Sequence, residues 1–118
     1  MVRVYVAGPY SADNIIECLQ NIGHGESVCA DLFCAGLYPF CPWHDKDYVI
    51  KNWHRDQAVE QFYRYSMAWL EVSDCMLVLD GWENSKGTKA EMAYASDTLG
   101  IPIYFSVSAL LADYVEVA

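Results

Sequence analysis

The residue types able to do chemistry gather behind one apolar run. Residues 75–79 (Cys-Met-Leu-Val-Leu) are followed by Asp80, Gly81, Trp82, Ser85, Gly87, Thr88 and Glu91. A buried strand that stops at a carboxylate and hands over to a small-residue loop opening a helix gathers free N–H groups and the helix's positive end in one crevice, which suits an anion. Ser85, Gly87 and Thr88 are the phosphate candidates: two hydroxyls and a glycine with no Cβ to block approach. Their plainer reading is an ordinary helix cap. Glu91 stands four residues after Gly87, one helical turn further on and facing the same crevice. On local sequence alone it reads first as a solvent-facing helix carboxylate. Asp80 marks a strand's carboxyl end, where ligands of parallel sheets bind. Lys86 and Lys89 read as cations that solvate the helix.

The elements that must hold these residues follow from the periodicity of the chain. Residues 2–7 are β-branched and apolar and end at Gly8-Pro9, a central strand. The loop after it holds Gly8, Pro9, Tyr10, Ser11 and Asp13, with Ser11 or Asp13 placed to cap the next helix. Residues 14–35 are helical, with Ile15, Leu19 and Ile22 on one face and Val28 and Leu32 resuming it. Gly23 and Gly25 mark a kink or a break. Gly36 suits a left-handed C-terminal position. Residues 37–41 form a short strand that Pro39 confines to an edge or a strand start.

Residues 42–52, of mixed polarity and no clear period, read as a loop or lid. Its Trp43, His44 and Tyr48 either stack on a flat ligand or cover the core or a dimer contact. Residues 55–71 carry the clearest helical stripe, residues 88–99 form the last long helix ended by Gly100, and residues 101–105 make a fourth strand. The tail, 107–118, reads as a short helix followed by an edge strand. Strands alternating with helices call for a four- to five-stranded, mostly parallel sheet covered on both faces, an α/β fold in a single domain over 1–118. The loops after the first and third strands then meet at a switch point.

Seven basic against sixteen acidic residues, a formal charge of −9, is the wrong sign for gripping a nucleic-acid backbone. A free nucleotide remains compatible, because a nest of N–H groups acts locally. The five cysteines form no C-x-x-C pair and fit reduced thiols in a cytoplasmic protein. Cys34, Cys41 and His44 lack a suitably spaced fourth ligand, so no metal is expected. No signal peptide is expected, and no apolar run is long enough for a membrane span.

Four segments resemble the nucleoside 2-deoxyribosyltransferase superfamily. They are Val4-Tyr-Val-Ala-Gly-Pro-Tyr10, Gly36-x-x-Pro-Phe40, Trp69-Leu-x-x-x-Asp74 and Leu79-x-Gly-Trp-x-x-Ser-Lys-Gly-Thr-x-x-Glu91. That superfamily includes deoxynucleoside 5'-monophosphate N-glycosidases and cytidylate N-glycosidases, and the nearest likeness is to its short bacterial and phage transferase-like branch. The likeness spans residues 2–105.

The resemblance implies a flavodoxin-like (Rossmann-like) three-layer sandwich, no cofactor, and a homodimer or higher homo-oligomer whose neighbours complete the sites. The aromatic stripe of Trp53, Phe62, Tyr63 and Tyr65 is the expected contact. It also implies that Glu91 attacks or stabilises C1' of the sugar, that Tyr10 orients it, and that Ser85 and Gly87 bind phosphate. The Gly8 loop and Thr88 then join them at the 5' end of a nucleotide or nucleoside. Such a carboxylate either forms a transient ester with the sugar or stabilises an oxocarbenium-like state.

One position departs from the pattern. Ser66 stands where the superfamily commonly has an Asp, and a serine is no general acid at neutral pH. The proton for the leaving base then comes from Asp80, Asp13, His44, Asp45 or water, or is not needed. Ser106 and Ser108 are the weak candidates for a neighbour's phosphate-binding serine. The competing expectations are a non-catalytic nucleotide binder on the same fold and a structural subunit of a larger assembly.

Overall fold

The structure, a computed structural model, describes residues 1–51 and 59–114. Its strands are β1 (Arg3–Ala7), β2 (Tyr38–Phe40), β3 (Cys75–Val78) and β4 (Ile103–Tyr104). They form one all-parallel sheet of order β2-β1-β3-β4. The central pair runs in register from Val4 opposite Cys75 to Ala7 opposite Val78. β3 is buried throughout and β1 from Val4 onward, which is why both read as unbroken apolar runs. Pro39 sits in the edge strand β2, where its missing N–H costs no ladder bond.

Side-chain alternation along the strands decides which helices each residue meets. Val4, Val6, Cys75 and Leu77 face α1 (Ile15–Cys34) and α5 (Val107–Tyr114). Tyr5, Ala7, Met76 and Val78 face α3 (Val59–Leu70), α4 (Lys86–Ala93) and the π-helical turn Tyr94–Leu99 that continues α4. Helices therefore cover both faces in a flavodoxin-like three-layer sandwich. Strand order reverses between β1 and β3, which opens a crevice at their carboxyl ends. Gly36 and Gly100 take the left-handed conformation, with φ of 89° and 65°, and end α1 and the π-helical turn.

Several local expectations need correcting. α1 runs unbroken through Gly23 and Gly25. At Gly25 the reason is packing, since a Cβ there would lie 2.4 Å from the Trp43 ring. The N-cap is Asn14, whose Oδ1 accepts the Glu17 N–H at 2.9 Å, and neither Ser11 nor Asp13 fills that role. Ile15 and Leu19 are exposed, and the inward stripe begins at Ile22. The first turns of α1 cover the loop instead of the core: Cys18 Sγ accepts the Ala12 N–H and Asn21 donates to the Tyr10 carbonyl.

The expected loop over 42–52 contains a 3₁₀ turn, Pro42–Asp45, and α2 (Lys46–Lys51). Proline at the first helical position, acids in the first turn and Lys51 in the last favour this local order over any hydrophobic period. Helix α4 starts at Lys86, two residues before the expected Thr88. The expected helical segment 55–58 and the tail strand beyond residue 114 lie outside the described residues. Among the described residues no helix is long and apolar enough to cross a membrane, and no group of three or more His, Cys, Asp or Glu is placed to hold a metal ion.

Candidate functional site

A cleft of 540 Å³ opens at the carboxyl ends of β1 and β3. Its walls include the Gly8–Ser11 loop, Trp43 and Asp45 of the 3₁₀ turn, Phe62, Tyr63 and Ser66 of α3, and residues 84–88 and 91 around the start of α4. Two close approaches shape the mouth. Gly81 has φ of 91°, and a Cβ there would sit 3.1 Å from the Pro9 ring; a Cβ on Gly8 would sit 3.0 Å from Leu79 Cβ. The loops after β1 and β3 pack this tightly only with glycine at both positions.

The start of α4 is arranged to donate. Ser85 is its N-cap, and its Oγ accepts two hydrogen bonds, from the Thr88 N–H at 3.2 Å and the Thr88 hydroxyl at 2.9 Å. With both lone pairs engaged, the Ser85 proton is the part left to offer to a ligand. The N–H groups of Lys86 and Gly87, in the first helical turn, have no intrahelical acceptor, and both residues line the cleft. Thr88 is buried and acts through Ser85. A Cβ on Gly87 would make only ordinary contact, 3.8 Å from Tyr63, so packing within the protein does not itself demand glycine there.

Glu91 enters the cleft from the next turn of α4. Its Oε2 is buried and has no hydrogen-bond partner among the described residues, and burial raises its pKa to about 7, partly offset by the Tyr5 hydroxyl. That hydroxyl is likewise buried and completes no hydrogen bond of good geometry. It lies close enough to Glu91 for the two groups to shift each other's ionisation, and burial first, then Glu91, pushes the phenol above its ordinary range. Each unsatisfied buried group costs about 1–3 kcal/mol, and native structures keep few of them outside working sites. Ser66 faces the same hydroxyl from α3.

Tyr5 was missing from the sequence-derived site. In the middle of a buried strand it reads as core. The available signal was alternation, which turns Tyr5 toward the helix that carries Glu91 and Val4 and Val6 away from it. Tyr10 lines the cleft, but its hydroxyl lies against Asp45; burial first, then that carboxylate, raises the phenol to about 12. Asp45 is half-buried, and burial raises its pKa while Tyr10 and Lys46 oppose the rise.

The remaining candidates divide. Gly8, Pro9, Ser11, Trp43, Ser66, Gly81, Ser85, Gly87 and Thr88 all line the cleft. Trp43 is 1 % exposed and its Nε1 donates to the Pro9 carbonyl at 3.1 Å, so it floors the cleft and braces the loop. Asp13, His44, Asp80 and Trp82 do not line it. His44 turns to Glu26 at 3.3 Å, Trp82 packs near Phe105 with ring centroids 5.9 Å apart, and Asp13 and Asp80 are exposed. Ser106 caps α5, accepting the Ala109 N–H at 3.1 Å. Tyr65 and Trp69 of α3 pack on Phe40, which gives part of the aromatic stripe a partner within the chain; Trp53 lies outside the described residues.

A family profile described as a domain of unknown function (DUF4406) matches residues 46–105, about half of the chain. A search of curated proteins finds no significant match. The matched span carries α2, α3, β3, the capped start of α4 and Glu91, and the chain belongs to the DUF4406 family.

Proposed function

We propose that this DUF4406 protein cleaves or exchanges the base–sugar bond of a nucleotide, as an N-glycosidase or deoxyribosyltransferase, with Glu91 at the sugar's C1'. The observation that carries the reading is the buried Glu91 carboxylate, whose Oε2 has no partner among the described residues, in a nucleotide-sized cleft one turn beyond a donor-rich helix start. A carboxylate short of hydrogen bonds gains most from a cationic partner, and an oxocarbenium-like sugar is one. Tyr5 is the nearer choice over Tyr10 for steadying Glu91, because its hydroxyl is the one that acts on that carboxylate.

The anion side argues for a 5'-monophosphate over a free nucleoside. Gly87 and Glu91 are four residues apart, about 6 Å along a helix. A similar separation divides a nucleotide's phosphate from its C1'. Ser85, with the Lys86 and Gly87 N–H groups, then takes the phosphate while Glu91 meets the sugar. The resemblance to the deoxyribosyltransferase superfamily supports the same assignment. The rival reading, binding without turnover, draws on Ser66, a hydroxyl in the cleft where the superfamily commonly has a carboxylate.

Incubating the protein with a panel of nucleosides and their 5'-monophosphates and measuring free base separates these readings. Base release, faster from monophosphates, is the expected result. Tight monophosphate binding without base release leaves only the binder. A homo-oligomer is part of the proposal: Val59 and Tyr63 of α3, which line the cleft, stay exposed at 66 % and 57 %. Sedimentation at micromolar concentration should give a multiple of 13.4 kDa; a monomer mass removes that part.

A further inference from the structure

Breaking the bond between a sugar and a heterocyclic base leaves an electron pair on the base, and most bases depart at a useful rate only if a ring nitrogen or carbonyl oxygen of the base receives a proton. Among the described residues two carboxyls line the cleft, Glu91 and Asp45. Glu91 is committed to the sugar carbon. Asp45 arrives on a separate element, the 3₁₀ turn Pro42–Asp45, whose Trp43 is anchored to the Pro9 carbonyl and packed against Gly25. The turn is therefore held by the core. The Tyr10 hydroxyl lies close enough to the Asp45 carboxyl for the two groups to shift each other's ionisation, and Tyr10, Asp45 and Glu91 line the same cleft.

We propose that Asp45 is the general acid of this site, delivering the proton to the departing base while Glu91 takes the sugar carbon, with Tyr10 as the residue that positions it. The inference rests on the glycosidase or transferase reading above. In the first step the C1'–N bond breaks, its electron pair goes into the base, and a ring nitrogen or carbonyl oxygen of the base takes the Asp45 proton. A Glu91 carboxylate oxygen bonds to C1'. In the second step water attacks C1', its proton returns to Asp45, its hydroxyl stays on the sugar, and Glu91 is released as the carboxylate. In a transfer reaction an acceptor base with its N–H takes the place of water.

The step needs one proton on the pair, and it needs it on Asp45. Lys46 beside it and the Tyr10 hydroxyl favour the carboxylate, while burial favours the acid. A base seated over Asp45 strips its remaining water and strengthens the acid form. Positive charge developing on the sugar favours the carboxylate at Glu91.

The test compares leaving groups. Asp45→Asn is assayed on the monophosphate that the wild type cleaves best and on a counterpart whose base departs without a proton, N7-methylated for a purine or 5-fluorinated for a pyrimidine. The expected result is a loss of about 10²-fold or more in kcat on the first and a loss under about 10-fold on the second. Tyr10→Phe should follow the same order with a smaller loss. Equal losses on both substrates, in an Asp45→Asn or Asp45→Ser variant that melts like the wild type, overturn the role of Asp45 and leave the base-cleaving reading standing. A wild type that releases no base from any substrate overturns both.

Discussion

Removing the charge from Glu91 should make the protein more stable at alkaline pH. In the folded protein the Glu91 carboxyl titrates at about 7 instead of its ordinary 4.5, chiefly because it is buried. A carboxyl that holds its proton more tightly when folded stabilises the fold fully below its unfolded pKa. That contribution is lost as pH rises through the folded pKa. At about 1.4 kcal/mol per pH unit, the wild type loses about 3 kcal/mol between pH 4.5 and 7 through this one group. Glu91→Gln fills the same space, has no charge to bury and loses nothing over that window. Near pH 5 the two proteins should melt close together. At pH 8 the variant should melt about 10 °C higher.

Asp45, also raised by burial, titrates in both proteins and cancels from the comparison. The assay is thermal or urea denaturation of wild type and Glu91→Gln at half-unit steps from pH 4.5 to 8.5. A melting difference that stays constant across that range would refute the argument, because it would mean that the Glu91 carboxylate is solvated in the fold. A working site that destabilises its own scaffold is a familiar trade.

Two glycines two residues apart in α1 should respond in opposite directions. Gly25→Ala drives a Cβ to 2.4 Å from the fully buried Trp43 ring. The overpacking costs about 1–3 kcal/mol or more, which outweighs the gain of about 1 kcal/mol from alanine in a helix. Gly23 has nothing within 4 Å, so Gly23→Ala should raise the melting temperature by that propensity term; equal shifts in the two variants would contradict the packing at Trp43. Tyr5→Phe removes the hydroxyl that lowers the Glu91 pKa. The acid limb of a pH–rate profile, which follows ionisation of Glu91, should then move to higher pH, and an unmoved limb would detach Tyr5 from that carboxylate.

The fold was legible because its signals are repeated along the chain. Buried parallel strands read as apolar runs, the glycines after α1 and the π-helical turn mark left-handed ends, and Ser85, Gly87 and Glu91 are spaced by helical geometry alone. What escaped had its cause elsewhere in the chain. Gly25 looked like a weak point in a helix, and only the Trp43 ring, eighteen residues on, explains it. Tyr5 looked like core because a strand residue's neighbours are set by the helices that land on it. Asp45 looked like one of four spare acids or bases, and the fold turns His44 to Glu26 and leaves Asp13 and Asp80 outside the cleft. The helical order of residues 42–51 escaped for a different reason: its stabilising features are a proline at the start and charges at the ends, which leave no hydrophobic period to read.

The most direct test of the account is the release of free base from 5'-monophosphates by wild type and Glu91→Gln side by side. The wild type should release base, and the variant should lose about 10³-fold or more of that rate while still binding the nucleotide through Ser85 and the α4 N–H groups. Release that survives in Glu91→Gln, or its absence from the wild type on every monophosphate, would contradict it.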